Sequence, residues 1–158
     1  MNILGETIGE ICKIVLPIPE EVYFGNKDSQ LAVCTLSSMN LLKKIANSKL
    51  LENIGVAGRL LSENKGIDSM LDYLDNHRKI NTLVVCGKDV WGHKAGHSLF
   101  ELHKNGLDNS KRIINSNSPD PYITSPKYQI EHFQKHVRLI NLIGKDDFEF
   151  LLNAIRNI

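Results

Sequence analysis

The stretch TLVVCGKDVWGHKAGHSL, residues 82–99, decides the fold. Residues 82–86 are β-branched or apolar without alternation, which is typical of a strand that is covered on both faces in a parallel sheet. Gly87 breaks this run, and Leu99 and Leu102 follow at helical spacing, so we predict a strand, a loop and a helix. Ligands bind beyond the carboxyl ends of strands in open α/β sheets. The loop is therefore the first candidate site.

Apolar runs predict the other strands. They lie at 31–36, at 54–58 and, in a shorter form, at 113–114. Residues 1–30 contain Pro17 and Pro19, which favour extended structure, and we interpret them as an N-terminal arm or edge segment. Strands and helices alternate along the rest of the chain. The predicted fold class is therefore α/β, with a Rossmann-like, mostly parallel sheet and helices on both of its faces.

Apolar residues at helical spacing predict five helices. They are expected after Ser38, around 67–74, at 94–105, from Ser125 to about Leu142, and around 148–155. Ser38 and Ser125 are the predicted N-caps, and Pro126 would occupy the first helical position. NGLD at 105–108 is expected to end the third helix. The fourth helix should point four side chains inward: Ile130, Phe133, Val137 and Ile140.

Composition limits the classes of function. A chain of 158 residues, 42% hydrophobic and 23% charged, predicts a single soluble domain over residues 1–158. A net charge of +1 gives no reason to expect nucleic acid as a partner. No segment approaches the ~20 apolar residues of a membrane span, and the acidic N-terminus does not resemble a signal peptide. Cys12, Cys34 and Cys86 are scattered, which indicates buried thiols in a reducing cytoplasm.

The loop after residue 86 offers one prominent functional group, the imidazole of His93. Glycines at 87, 92 and 96 give the spacing GxxxxGxxxG, which is neither a P-loop nor a dinucleotide fingerprint. Gly92 and Gly96 flank His93 and would let a large ligand approach the backbone. Trp91 lies beside this group, and two interpretations stay open for it: stacking on a ligand, or packing in the core.

Three interpretations of His93 stay open from spacing alone. The first is a purely structural role, as a helix-capping or carbonyl-bonded histidine. The second is a divalent-metal site shared with His97 at i and i+4, although a third ligand is needed and the glutamate of HExxH is absent. The third is axial ligation of a planar metal cofactor, which requires one imidazole and flat, glycine-lined room. His93 and Gly96 would provide both.

Four segments, taken together, resemble a known family. They are LAVCTLSS at 31–38, ENKGID at 63–68, VVCGKDVWGHKAGHSLFELHKNGLD at 84–108, and PYITSPKYQIEHFQKHVRLINLIGKDD at 121–147. In this order and at these intervals they resemble the A subunit of the tetrahydromethanopterin S-methyltransferase of methanogenic archaea. The resemblance covers roughly residues 20 to 148, and the GHxxGxS block at 92–98 is its most specific part.

The resemblance implies a cofactor and an activity. The family's cytoplasmic domain carries a cobalamin-type corrinoid whose cobalt is bound from below by the histidine of GH, here His93. The cobalt accepts a methyl group from methyl-tetrahydromethanopterin and passes it to coenzyme M, within a membrane complex that exports sodium. Other subunits of a methyltransferase complex are therefore implied partners. Family members of the complex continue into a C-terminal membrane anchor, so this chain is expected to be a soluble form or homologue without direct membrane insertion.

The resemblance also implies contacts to the corrinoid, and no catalytic side chain. The implied cofactor-binding residues are His93, also the metal ligand, and Thr35, Leu36, Ser37, Gly58, Glu63, Asn64, Gly87, Asp89, Gly92, Gly96, Pro121 and Tyr122. Gly87, Gly92 and Gly96 would make room for the ring, and the others lie in loops expected on the same side. Two alternatives to a methyl-carrying component stay open: a non-catalytic corrinoid carrier, and a His93/His97 metal-binding domain.

Overall fold

A computed structural model describes residues 21–158. Within them, five strands form one sheet in the order β1-β3-β2-β4-β5. The strands are β1 (Val22–Phe24), β2 (Leu31–Cys34), β3 (Val56–Gly58), β4 (Thr82–Gly87) and β5 (Arg138–Ile143). Strands β2 to β5 run parallel, whereas β1 pairs antiparallel with β3 at one edge. The predicted α/β class with a mostly parallel sheet is confirmed. Pro17, Pro19 and Cys12 lie outside the described residues.

Helices cover both faces of the sheet, as predicted. They are α1 (Met39–Ala46), α2 (Lys65–Asn76), α3 (Ala95–Asn105), α4 (Lys127–His136) and α5 (Phe148–Arg156), with a 3₁₀ helix at Lys49–Asn53. Helices α2, α3 and α4 pack on one face, and α1 and α5 pack on the other. The longest of them, α2, has 12 residues. Among residues 21–158, no helix combines the length and hydrophobicity that a membrane crossing requires.

The central strand β4 shows why its apolar run lacks alternation. Leu83 and Val85 belong to the core beneath α2, α3 and α4, while Val84 and Cys86 belong to the core beneath α1 and α5. Both faces are dry, so every position is apolar. Cys34 and Cys86 are free and buried, as expected. Burial raises the pKa of the Cys34 thiol to about 12 and also raises the pKa of Cys86.

The predicted helix from Ser125 to about Leu142 is wrong in its second half. Helix α4 ends at His136, and β5 pairs with the whole of β4 from Thr82–Arg138 to Gly87–Ile143. Val137 and Ile140 continue the helical spacing by coincidence. Pairing with β4 satisfies backbone groups that would otherwise be left at an open sheet edge, and this tertiary gain overrides the local pattern.

Three smaller predictions also need correction. Pro126, not Ser125, occupies the N-cap of α4, and the Ser125 hydroxyl donates instead to Asp68 Oδ1 at 2.6 Å. Ser38 is the N-cap residue of α1, but its hydroxyl accepts from Lys88 N at 2.9 Å rather than capping the helix. Residues 113–114 make an isolated bridge, Leu107–Ile113, and no strand of the sheet. Gly106, with φ of 71°, ends α3 as predicted.

Candidate functional site

A tight turn after β4 carries His93. The carbonyl of Val90 accepts hydrogen bonds from His93 N at 3.0 Å and Lys94 N at 2.7 Å, which closes the turn around Trp91 and Gly92. A Cβ added to Gly92 would meet nothing within 4 Å, so the tip of the turn borders open space. Lys94 then adopts a left-handed conformation, φ 49°, immediately before α3.

His93 is held by a buried carboxylate. Its Nδ1 lies 3.0 Å from Glu63 Oε2; the Glu63 side chain is 2% exposed, whereas the His93 side chain is 54% exposed. An ionised carboxylate can only accept, so the Nδ1 atom of a neutral His93 carries the proton and Nε2 carries the lone pair. No residue among 21–158 hydrogen-bonds Nε2. The imidazole is therefore fixed on one side and available on the other.

Glu63 also connects the turn to a third loop. Its second oxygen, Oε1, accepts from Asp120 N at 3.1 Å. The neighbouring Asn64 Nδ2 donates to Asp120 O at 3.2 Å and to Asp120 Oδ2 at 3.0 Å, while Asn64 Oδ1 caps α2 at Lys65 N. Pro121 follows as a buried residue and Tyr122 as an exposed one. Three loops are thus joined around one buried carboxylate.

The start of α3 is fixed from beneath by Asp89. Its carboxylate accepts from Gly96 N at 3.0 Å and from His97 N at 2.9 Å, where the helix would otherwise leave unpaired amides. Gly96 is buried, and a Cβ there would lie 3.0 Å from Asp89, Leu36 and Ile143 atoms. The absence of a side chain lets α3 pack closely against the ends of β2 and β5.

The residues at the end of β2 lie under this layer. Thr35 and Leu36 are fully buried, and Ser37 donates from both its amide and its hydroxyl to Lys88 O, at 3.1 and 2.6 Å. Gly87 has φ of 79°, and a Cβ there would lie 2.3 Å from Thr35 O. Gly87 is required by the turn and by this close backbone approach. The loops after β2 and β4 are therefore interlocked.

Gly58 lies apart from the turn. It lines a cavity of about 300 Å³ between the sheet edge and α2, which shares no residue with the segment 88–97. Arg59 also lines this cavity, and its Nε and Nη2 atoms are buried without a hydrogen-bond partner among the described residues. The structure thus brings together most of the predicted site residues but places Gly58 on a separate hollow.

A family model describing the A subunit of tetrahydromethanopterin S-methyltransferase matches residues 16–158. The chain belongs to this family. The resemblance that its segments predicted is therefore confirmed.

Curated members of the family are similar over most of this chain. In Methanothermobacter thermautotrophicus, the tetrahydromethanopterin S-methyltransferase A subunit numbered 1 is 37% identical over 84% of this chain and 54% of its own length. The A subunit numbered 2 of the same organism is 31% identical, over 83% of this chain and 74% of its own length. The A subunit of a Methanosarcina acetivorans methyltransferase, provisionally named Mtx, is 31% identical, over 89% and 68%. The chain thus spans about half to three quarters of these relatives.

The metal-pair alternative gains no support from the part of the chain described. His97 Nε2 accepts a hydrogen bond from Asn117 N at 3.2 Å, so this atom is already engaged. Residues 21–158 contain no group of three His, Cys, Asp or Glu side chains that could hold a metal ion. A lone His93 suits a cofactor that brings its own metal and needs one protein ligand.

Sequence reasoning missed two features of the site. Asp120, whose amide bonds Glu63, stands between two prolines in a loop with no recognisable motif. Trp91 is 87% exposed, so it does not pack in the core formed by the described residues. No local pattern distinguishes an exposed loop tryptophan from a buried one, because its exposure depends on which segments cover the loop.

Proposed function

We propose that this chain binds a cobalamin-type corrinoid, with His93 as the axial ligand of cobalt. It then serves as the methyl-carrying component in transfer from methyl-tetrahydromethanopterin to coenzyme M. Membership of a family of methyltransferase subunits supports the reaction class. The cofactor, when bound, supplies the cobalt centre that accepts and releases the methyl group. The protein supplies ligation, orientation and docking, and no side chain is assigned a catalytic role.

The observation that carries this proposal is the His93–Glu63 pair. Metal-ligating histidines almost always donate their second ring N–H to a carboxylate, a carbonyl or water, which fixes the ring and raises its basicity. Glu63 does this for His93 at 3.0 Å from a buried position. The free Nε2 belongs to a glycine-containing turn that borders open space. A histidine kept only for structure does not need a buried acid behind an exposed ring.

The other site residues divide into two groups under this proposal. Gly92 leaves room at the tip of the turn, and the half-buried or exposed Ser37, Asn64 and Tyr122 offer polar atoms to the amide groups around a corrin. The remaining residues support the turn from below or beside it: Thr35, Leu36, Gly58, Gly87, Asp89, Gly96 and Pro121. They would act through the position of the loops.

The proposal extends to the setting of the protein. Residues 1–158 would act as one corrinoid-binding domain at the cytoplasmic side. Its partners would be the corrinoid and other subunits of a methyltransferase complex, since the curated relatives are named as subunits. Membership of such a complex is testable by co-purification with a tagged chain.

The test is a visible-absorption titration of the purified protein with hydroxocobalamin. The wild-type protein and a His97→Ala variant should bind with the spectral shift of a histidine-ligated cobalt, and His93→Ala should lose that shift. His97 is the matched control because it lies one helical turn away and has its own partner, Asn117. A His93→Ala spectrum identical to that of the wild type, or no binding by any of the three, would refute the proposal.

A further inference from the structure

Trp91 is the most exposed of the large hydrophobic side chains in residues 21–158, with 87% of its surface accessible. It is also the single tryptophan of the chain. The Lys94 ammonium lies 5.9 Å from the ring centroid and covers little of the indole. Aromatic side chains of this size contribute strongly to interfaces when they are covered. Such a side chain at the tip of a hydrogen-bonded turn indicates a ligand surface.

The turn determines which ligand that surface can meet. Val90 O accepts from both His93 N and Lys94 N, so Trp91 and His93 belong to one hydrogen-bonded turn. Gly92 between them adds no side chain to fill the space. A macrocycle whose central metal is bound by the His93 imidazole extends beyond that imidazole on all sides. Residues on the same turn must therefore lie against its face or rim.

We propose that the Trp91 indole is a contact surface for the corrinoid ring that His93 ligates; this inference rests on the function proposed above. The indole offers a flat apolar face, which suits the apolar face of a corrin, and its exposed position needs no rearrangement of the core. Trp91 contributes affinity through this contact, whereas His93 alone determines the axial ligation of the cobalt. The two roles are separable by experiment.

The first experiment measures hydroxocobalamin affinity by visible absorption for the wild type, Trp91→Phe and Trp91→Ala. Loss of one aromatic contact should raise the dissociation constant of Trp91→Ala about tenfold. Trp91→Phe keeps a flat apolar ring and should stay within about threefold of the wild type. Phe24→Ala is the control, because Phe24 is also exposed, at 67%, but pairs with Val56 at the β1 edge of the sheet.

The second readout is the rate at which N-bromosuccinimide oxidises the single tryptophan, followed by mass spectrometry. Bound hydroxocobalamin should slow this oxidation in the wild type and not in His93→Ala. Equal affinity of Trp91→Ala and wild type, or an oxidation rate that the corrinoid leaves unchanged, would overturn the inference. Loss of the histidine-type spectrum in Trp91→Ala would do so too, because Trp91 would then shape the turn. Absence of binding by the wild type would instead refute the proposed function.

Discussion

At the scale of single residues, the position of one acid explains how His93 is presented. Glu63 is 30 positions away in sequence, yet its carboxylate bonds His93 Nδ1 and Asp120 N at the same time. The acid is buried, so its charge interacts with His93 through the protein interior rather than through water. The ring orientation, the proton position and the neighbouring loop are therefore controlled by one group.

We expect Glu63→Gln to weaken hydroxocobalamin binding by about 10- to 100-fold, because loss of a metal-bound histidine's partner costs about this much affinity. Glutamine keeps the size of the side chain but removes its charge. Visible titration gives the affinity, and circular dichroism shows that the variant is folded. Glu101→Gln is the matched control, since Glu101 bonds only Asn105 at the far end of α3. Unchanged affinity in Glu63→Gln would contradict the role assigned to this carboxylate.

His93 could be predicted from the sequence, whereas its partners could not. A histidine between two glycines after a buried strand indicates a site through local pattern alone. The pairing with Glu63 depends on how the loops after β3 and β4 meet, and the pairing with Asp120 depends on a loop that no motif specifies. Such contacts are properties of the folded chain. The sequence resemblance named Glu63 as a site residue without giving its role.

At the scale of elements, the connection from β4 to α3 uses its glycines in different ways. Gly87 stands in a positive-φ turn with Thr35 O directly against it, whereas Gly92 stands in the open. The sequence resemblance predicts that both make room for a ring. The structure gives Gly87 a backbone reason for being glycine that holds without any ligand.

The two glycines therefore make a matched pair of variants. Gly87→Ala should lower the free energy of unfolding by about 2–3 kcal/mol, because a Cβ would be strained by φ and would clash with backbone. Gly92→Ala should change it by less than about 0.5 kcal/mol, as for an exposed site with no contacts. Urea unfolding measures both. Equal effects of the two substitutions would show that the turn does not depend on Gly87.

The elements also show where prediction by periodicity stops. The strands β2, β3 and β4 and the apolar stripe of α2 follow from local sequence, since burial on one or two faces writes a pattern directly. Strand β5 does not, because Val137 and Ile140 fit a helix and only the neighbouring β4 makes Ile140 part of a sheet. A parallel edge strand that directly follows a helix leaves no turn signal between the two.

At the scale of the whole molecule, one buried histidine couples stability to pH. His132 on α4 is 9% exposed, and its Nε2 has no partner among the described residues. Its pKa is lowered below the ordinary 6.5, first by burial and then by the positive charges of Arg78 and His136, against a smaller raising effect of Asp75. The folded state therefore binds the proton less readily than the unfolded state.

It follows that the contribution of His132 to stability is complete above about pH 6.5 and is lost as the pH falls through that value toward the lowered pKa. Urea unfolding between pH 8 and pH 5 should show this decline, and His132→Gln should flatten it. His77→Gln serves as the control, because His77 is exposed at the end of α2. A pH profile that is unchanged in His132→Gln would contradict the assignment.

The two ends of the parallel strands carry different parts of the molecule. Ile158 lies beside Leu31 and Thr82, the first residues of β2 and β4, whereas His93 follows the last residue of β4. A biotinylated extension added after Ile158 would therefore leave from the side opposite the candidate site. A sensor surface coated through that extension would present every molecule in one orientation, with its His93 turn toward the solution.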